Sequence, residues 1–277
     1  MSNAAKSVSQ IGNLPKFKAV IQYSGTRYHG WQIQKRGRTV QGVISETLTR
    51  LAGRPIAVVG ASRTDAGVHA LGQVAHFHFP VRDSIPDLRR TLNALLPWDI
   101  RIRSLRPASR HFHARKDAIR KRYAYWIYTG DVLPPFLYWR CLHSPGLKGF
   151  ESMAEASLQF VGTHDFSSFA ASSTQVKYKV RTVFRSALVR KGNLWVYRVE
   201  ADGFLHHMVR NIVGTLLEIG KGKLDQTRIA EILEARDRSR AGPTARAEGL
   251  VLTRIWYRKK KSQVPRTKSQ TFGSSKA

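Results

Sequence analysis

Twice along its length the sequence passes through the same order of hydrophobic patterns: strand, helix, strand, strand, helix, strand. This recurrence limits the fold more tightly than any single motif. In the first pass FKAVIQYS (17–24) reads as a strand, and TVQGVISETLTRLAG (39–53) places Val40, Ile44, Leu48 and Leu51 on one helical face. Thr39 is the expected N-cap of that helix and Gly53 its stop. IAVVG (56–60) and QVAHFHF (73–79) are two further strands, and ASRTDAGVHA (61–70) spans the end of one and the loop between them, which puts Asp65 on a loop. PDLRRTLNALL (86–96) then gives a helix, with Pro86 suited to the first turn and Pro97 just past the end, before a strand around IRIRSLRP (100–107).

The second pass opens with the strand KRYAYWIY (121–128) and a helix from about Glu151 to Val161. RTVFRSALVR and LWVYRVEA follow, joined across Lys191-Gly192-Asn193 as a hairpin. FLHHMVRNIVGTLLEIG predicts a helix beginning near Phe204, with an apolar stripe of Met208, Ile212, Leu216 and Ile219. A shorter helix in RIAEILEAR and a last strand, LVLTRIWY, complete the set. The halves share this order of elements without strong sequence identity. The expected class is therefore α+β: two ferredoxin-like βαββαβ halves whose antiparallel sheets meet at a central basic cleft. The expected divisions are a flexible N-terminal arm (1–15), an N-terminal half (16–115), a C-terminal half (116–258) and a disordered basic tail (259–277).

Charge separates the function classes. Against 47 Lys and Arg stand 18 Asp and Glu, a net charge of +29 over 277 residues. Residues 258–277 contribute seven cations and no acid, so most of the excess belongs to the folded body. Such a field concentrates polyanions and speeds their encounter with the surface. No apolar run approaches the ~20 residues needed to span a bilayer, and MSNAAKSVSQIGNLPK lacks a signal-peptide core, so a cytoplasmic protein with no membrane partner is expected. The single Cys141 leaves no intrachain disulfide framework and no multi-cysteine zinc site.

The sparse acids form no tight cluster of the kind a two-metal nuclease requires, and the pairs His76/His78, His111/His113 and His206/His207 lack an evident third ligand, so no metal is expected. Neither GxxxxGK[ST] nor a GxGxxG opening a helix is present. Asp65 remains as the candidate for chemistry. Its place before Ala66-Gly67 suits a turn as well as catalysis. Beside Arg63, and with a second arginine approaching, the carboxylate would stay ionised and suit nucleophilic attack or electrostatic stabilisation. Tyr123 and Tyr125 alternate with Trp126 along one strand, where a ring serves either as packing or as a stacking surface for an unstacked base. Arg210 interrupts the apolar HMVRNIVG and, if buried, needs a partner, for which Asp65 is the candidate; the alternative is a side chain reaching solvent beside Gly214.

From about Lys18 to Tyr257 the chain resembles the TruA family of tRNA pseudouridine synthases. RTDAGVHA (63–70) is similar to the family's active-site loop, and GFLHHMVRNIVG (203–214) is equally distinctive. YHGWQ (28–32), FHAR (112–115), KRYAY (121–125) and AEGL (247–250) follow in the family's order. The resemblance implies that Asp65 is the catalytic aspartate and that Tyr123 lies against the target uracil. It further implies that Arg63 handles the displaced nucleotide, that Arg210 pairs with the aspartate, and that Leu250 lines the uracil pocket. It implies isomerisation of uridine to pseudouridine in the tRNA anticodon stem-loop, at positions 38 to 40, with no cofactor and by a homodimer. Attack at C1′ of the ribose and at C6 of uracil both remain open. Ser24 stands where the family often has Asp, and Ser62 where Gly is frequent. A non-catalytic tandem RNA-binding module is the alternative, but no RNP-type aromatic strand is present. A structural ribosome-associated protein would account for the charge and leave the Asp65 loop without a purpose.

Overall fold

Thr39 and Gly53 bound the first helix as their chemistry dictates. The Thr39 hydroxyl accepts from the Gly42 amide at 3.2 Å, and Gly53 takes the left-handed conformation (φ 66°) that ends the helix. The computed structural model describes residues 14–80 and 84–258. Apart from residues 14 and 15, the expected N-terminal arm and the basic tail lie outside these. The first half consists of β1 (Lys16–Tyr23), α1 (Val40–Ala52), β2 (Val59–Gly60), β3 (His69–His78), α2 (Ile85–Leu95) and β4 (Ile100–Ala108). The second comprises β5 (Ala118–Tyr128), β6 (Leu142–His143), α3 (Phe150–Leu158), β7 (Gly162–Asp165), β8 (Val180–Lys191), β9 (Leu194–Ala201), α4 (Met208–Gly220), α5 (Ile229–Ala235) and β10 (Leu250–Tyr257).

The class is α+β. In the first half the spatial order is β4-β1-β3-β2, and in the second it is β10-β5-β9-β8, with β7 added beyond β8. Both are the fourth-first-third-second arrangement of a ferredoxin-like unit, and every pair within each set is antiparallel. The half-sheets meet edge to edge in one continuous sheet, because β10 pairs in parallel with β3: Val251 opposite His69 and Leu252 opposite Ala70. The cause lies in β2. With two residues it covers only His76 and Ala75 of β3, leaving the start of that strand's edge open, and β10 supplies the missing hydrogen-bond partners. The loop 61–68 leaves the sheet at this division of β3's edge between two neighbours.

Alternation along β1 buries Phe17, Ala19, Ile21 and Tyr23, which join Val40, Ile44 and Leu48 of α1 in the core. In the second half Met153, Val199, Ile212 and Leu216 pack in the same way. α4 is buried all round except at Arg210 and Glu218. Gly214 admits the backbone of Pro243 so closely that a Cβ there would overlap its carbonyl, and this contact lays residues 243–245 along α4.

The structure shifts several expected boundaries. The helix expected from Phe204 begins at Met208, because His207 adopts φ 61° and turns the chain before the first helical residue. The strand expected over 56–60 is reduced to Val59–Gly60, and the helix expected to reach Val161 ends at Leu158. The hairpin at Gly192-Asn193 forms with Lys191 opposite Leu194. β6 and β7 are too short to show a hydrophobic period. No helix among the described residues is long and apolar enough to cross a membrane.

Candidate active site

The loop carrying Asp65 is held by buried polar groups on both sides. The Gln73 side chain, fully buried on β3, donates to Ser62 O at 2.7 Å and accepts from Ser62 N at 3.2 Å. Thr64 is pinned by its hydroxyl to Tyr23 (2.8 Å) and by its carbonyl to Trp31 N (3.0 Å). Gly67, at φ 79°, makes the turn back into β3, and its amide donates to Tyr28 O. Between Thr64 and Gly67 the Asp65 side chain projects toward His206, His207 and Arg210 at the N-terminal turn of α4.

Arg210 Nη1 lies 3.1 Å from Asp65 Oδ2, while Arg210 Nε donates to Ala245 O at 2.8 Å. The guanidinium is therefore clamped by the segment that Gly214 admits, and both charges are largely withdrawn from solvent (16% and 21% exposed). The two imidazoles before α4 also face the carboxylate, with His207 Nε2 3.4 Å from Oδ2 and His206 Nε2 3.6 Å from Oδ1. Burial is the largest influence on His207 and lowers its pKa, so the ring is held toward its neutral form.

Across the cleft, Tyr123 of β5 is buried, and its hydroxyl lies 2.9 Å from Ser62 Oγ. Its ring meets that of Phe204 edge to face at 5.1 Å. Burial pushes the phenol above its ordinary range, so it is neutral at physiological pH. Arg63 points outward and donates to the Gln32 side chain at 3.2 Å. Leu250, the first residue of β10, is buried opposite Tyr125. Asp65, Arg63, Tyr123, Arg210 and Leu250 all line one cleft of about 1120 Å³, closed on a further side by residues 173–176.

A family model described as tRNA pseudouridine synthase matches residues 19–115 and 156–258. The chain belongs to that family. A tRNA pseudouridine synthase A from Acetivibrio thermocellus is 46% identical over 242 residues, covering 87% of this chain and 98% of the relative. One from Geobacillus kaustophilus is 43% identical over 243 residues, covering 87% and 94% respectively. A third, from Thermodesulfovibrio yellowstonii, is 43% identical over 251 residues.

In this member of the tRNA pseudouridine synthase family, sequence reasoning weighed His206 and His207 only as a metal-ligand pair and gave no site role to Phe204 or Lys121. The His-His pair gave a faint signal, standing one helical turn before an arginine already in need of a carboxylate. Asp65, His206 and His207 bring three donor atoms within 4.8 Å, a set that a cation could use. The fixed guanidinium on Oδ2 opposes that use, since a divalent ion bound there would face a charge that cannot move away. Ser62, where the family often has Gly, supplies the hydroxyl on Tyr123. Ser24 lies within 3.5 Å of His69 Nδ1, and the adjoining Gly25 amide donates to that nitrogen at 3.1 Å.

Proposed function

We propose that this protein isomerises uridine to pseudouridine in the anticodon arm of tRNA, with Asp65 as the catalytic carboxylate. The observation that carries the reading is the placement of Asp65: one carboxylate in a basic cleft, fixed by Arg210 and facing an aromatic wall. The relatives, named as tRNA pseudouridine synthases across nearly their full length, support the substrate and the reaction.

The reaction breaks the bond between C1′ and N1, turns the uracil, and joins C5 to C1′; N1 gains a proton and C5 loses one, so nothing is oxidised or consumed. Arg210 holds the Asp65 carboxylate in position to attack C1′ or C6. Tyr123, rigid and neutral, offers its ring to the uracil, and Leu250 supplies an apolar edge. Arg63, at the cleft mouth, meets the nucleotide as it leaves its stack, a step costing a few kcal/mol that phosphate contacts offset. The cytoplasm is the proposed place of this work. A homodimer is proposed on the family resemblance, and the well-exposed Val132, Phe136, Tyr138 and Trp139 suit a surface that a second copy covers.

The deciding experiment replaces Asp65 by Asn and by Ala and follows pseudouridine formation in an unmodified tRNA transcript. Loss of at least about a thousandfold in rate, with unchanged thermal unfolding, is expected. Wild-type turnover in either variant would overturn the mechanism. Family membership leaves the non-catalytic RNA-binding reading without support.

A further inference from the structure

Lys121 lies on the cleft face of β5, two residues before Tyr123, in surroundings that do not neutralise it. Its strand neighbours Arg120 and Arg122 point to the opposite face, where Glu200 is held between them at 3.3 and 2.7 Å. That acid is therefore committed away from the cleft. On the cleft side Lys121 Nζ donates to Ala61 O at 3.0 Å, which uses one of three ammonium donors. The charges that act on it from neighbouring segments are Arg115, on the loop between β4 and β5, and Arg181 on β8, and both are positive. Arg115 in turn feels Arg63. Burial, reinforced by this repulsion, brings the Lys121 ammonium down to about 8 from 10.5 and lowers Arg115 as well.

Arg63, Arg115 and Lys121 line the cleft together. Lys121 is half-buried whereas Arg63 and Arg115 are exposed, and a cation withdrawn from water beside like charges, as Lys121 is, weakens the fold unless an anion completes the group. A neutral uracil cannot do so, whereas the backbone on either side of it can. We infer that Lys121, Arg115 and Arg63 form a phosphate-binding subsite that holds a backbone phosphodiester adjoining the uridine displaced into the cleft. The inference rests on the proposed function for its ligand, but the cation cluster exists independently of catalysis. Two guanidinium forks offer paired donors to phosphate oxygens, and the ammonium adds a point charge. The anion would also restore the proton affinity that Lys121 loses by burial.

The test uses full-length protein carrying isotope-labelled lysine, with the Lys121 side-chain NMR signal assigned by loss in Lys121→Arg. Inorganic phosphate should move the Lys121 titration upward by about one pH unit, a tenfold change in proton affinity, while chloride at equal ionic strength should not. Equal shifts with both salts would overturn the subsite. Separately, Lys121→Met should weaken tRNA binding and reduce the slope of log affinity against log salt by about one, with Lys121→Arg restoring it. An unchanged slope in Lys121→Met would also overturn it. Phosphate binding without pseudouridine formation would refute the proposed function and leave the subsite standing. Pseudouridine formation with a Lys121 signal indifferent to phosphate would do the reverse.

Discussion

Arg210 on α4 and Asp65 on the loop before β3, 145 residues apart in sequence, meet at 3.1 Å with the arginine also bound to Ala245 O. The guanidinium therefore joins three segments, and its loss should be felt as both activity and stability. Arg210→Met is expected to lower turnover at least tenfold and to cost about 1–3 kcal/mol in urea unfolding, less than a fully buried pair because both groups keep some solvent contact. Arg210→Lys should not restore it, since one ammonium cannot reach both partners. In an Asp65→Asn background the stability cost should shrink, and strict additivity would show that the two side chains are not coupled.

Ser62 and Tyr123 form a second pair open to a double-mutant cycle. Ser62→Ala and Tyr123→Phe each leave a hydroxyl unpartnered among buried neighbours, and each is expected to cost about 1 kcal/mol. The double variant should cost clearly less than the two together. Thermal or chemical unfolding of the four proteins measures the coupling, and a value near zero would mean that the hydroxyls do not hold the ring.

Lys121 gives opposite pH slopes to folding and binding. Its folded-state pKa of about 8 lies below the ordinary 10.5, so between those values the folded chain binds fewer protons than the unfolded one. Its contribution to stability therefore rises with pH across that window. Affinity for tRNA, which requires the charged form, should fall as pH passes 8. Lys121→Met should remove both slopes and, near pH 7, stabilise the protein by about 1 kcal/mol while weakening tRNA binding. A variant less stable than wild type at neutral pH would contradict this account.

Salt provides a coarser check on the whole cleft. Raising monovalent salt from about 50 to 200 mM should weaken tRNA affinity by at least about tenfold through counterion release. Fluorescence or filter-binding titrations across that range would measure it, and a flat response would exclude a surface that follows phosphates.

The element order was legible because each strand and helix is long enough to show its period, and the caps at Thr39 and Gly53 are local chemistry. What the sequence concealed depends on contacts between distant segments. The start of α4 is hidden because the apolar pattern continues backward through Phe204 and Leu205, whereas the left-handed conformation of His207 leaves no mark in the periodicity. The joining of the half-sheets depends on how little of β3 is covered by β2, which no periodicity reveals. At the site, Asp65 and Arg210 could be paired by charge logic, as the one acid of the loop 61–70 and the one cation of an apolar helix. Lys121 could not, because neighbouring arginines make it look like one more surface charge until the sheet shows that Glu200 lies on the other side.

The parallel contact between β3 and β10 has a consequence for synthesis on the ribosome. The loop bearing Asp65 is translated before β3, but the strand that completes its supporting edge, with Leu250 at its head, follows every other described element. A chain arrested before residue 250 would carry the reactive carboxylate without the neighbours that give it purpose. Competence is thus withheld until β10 has been made.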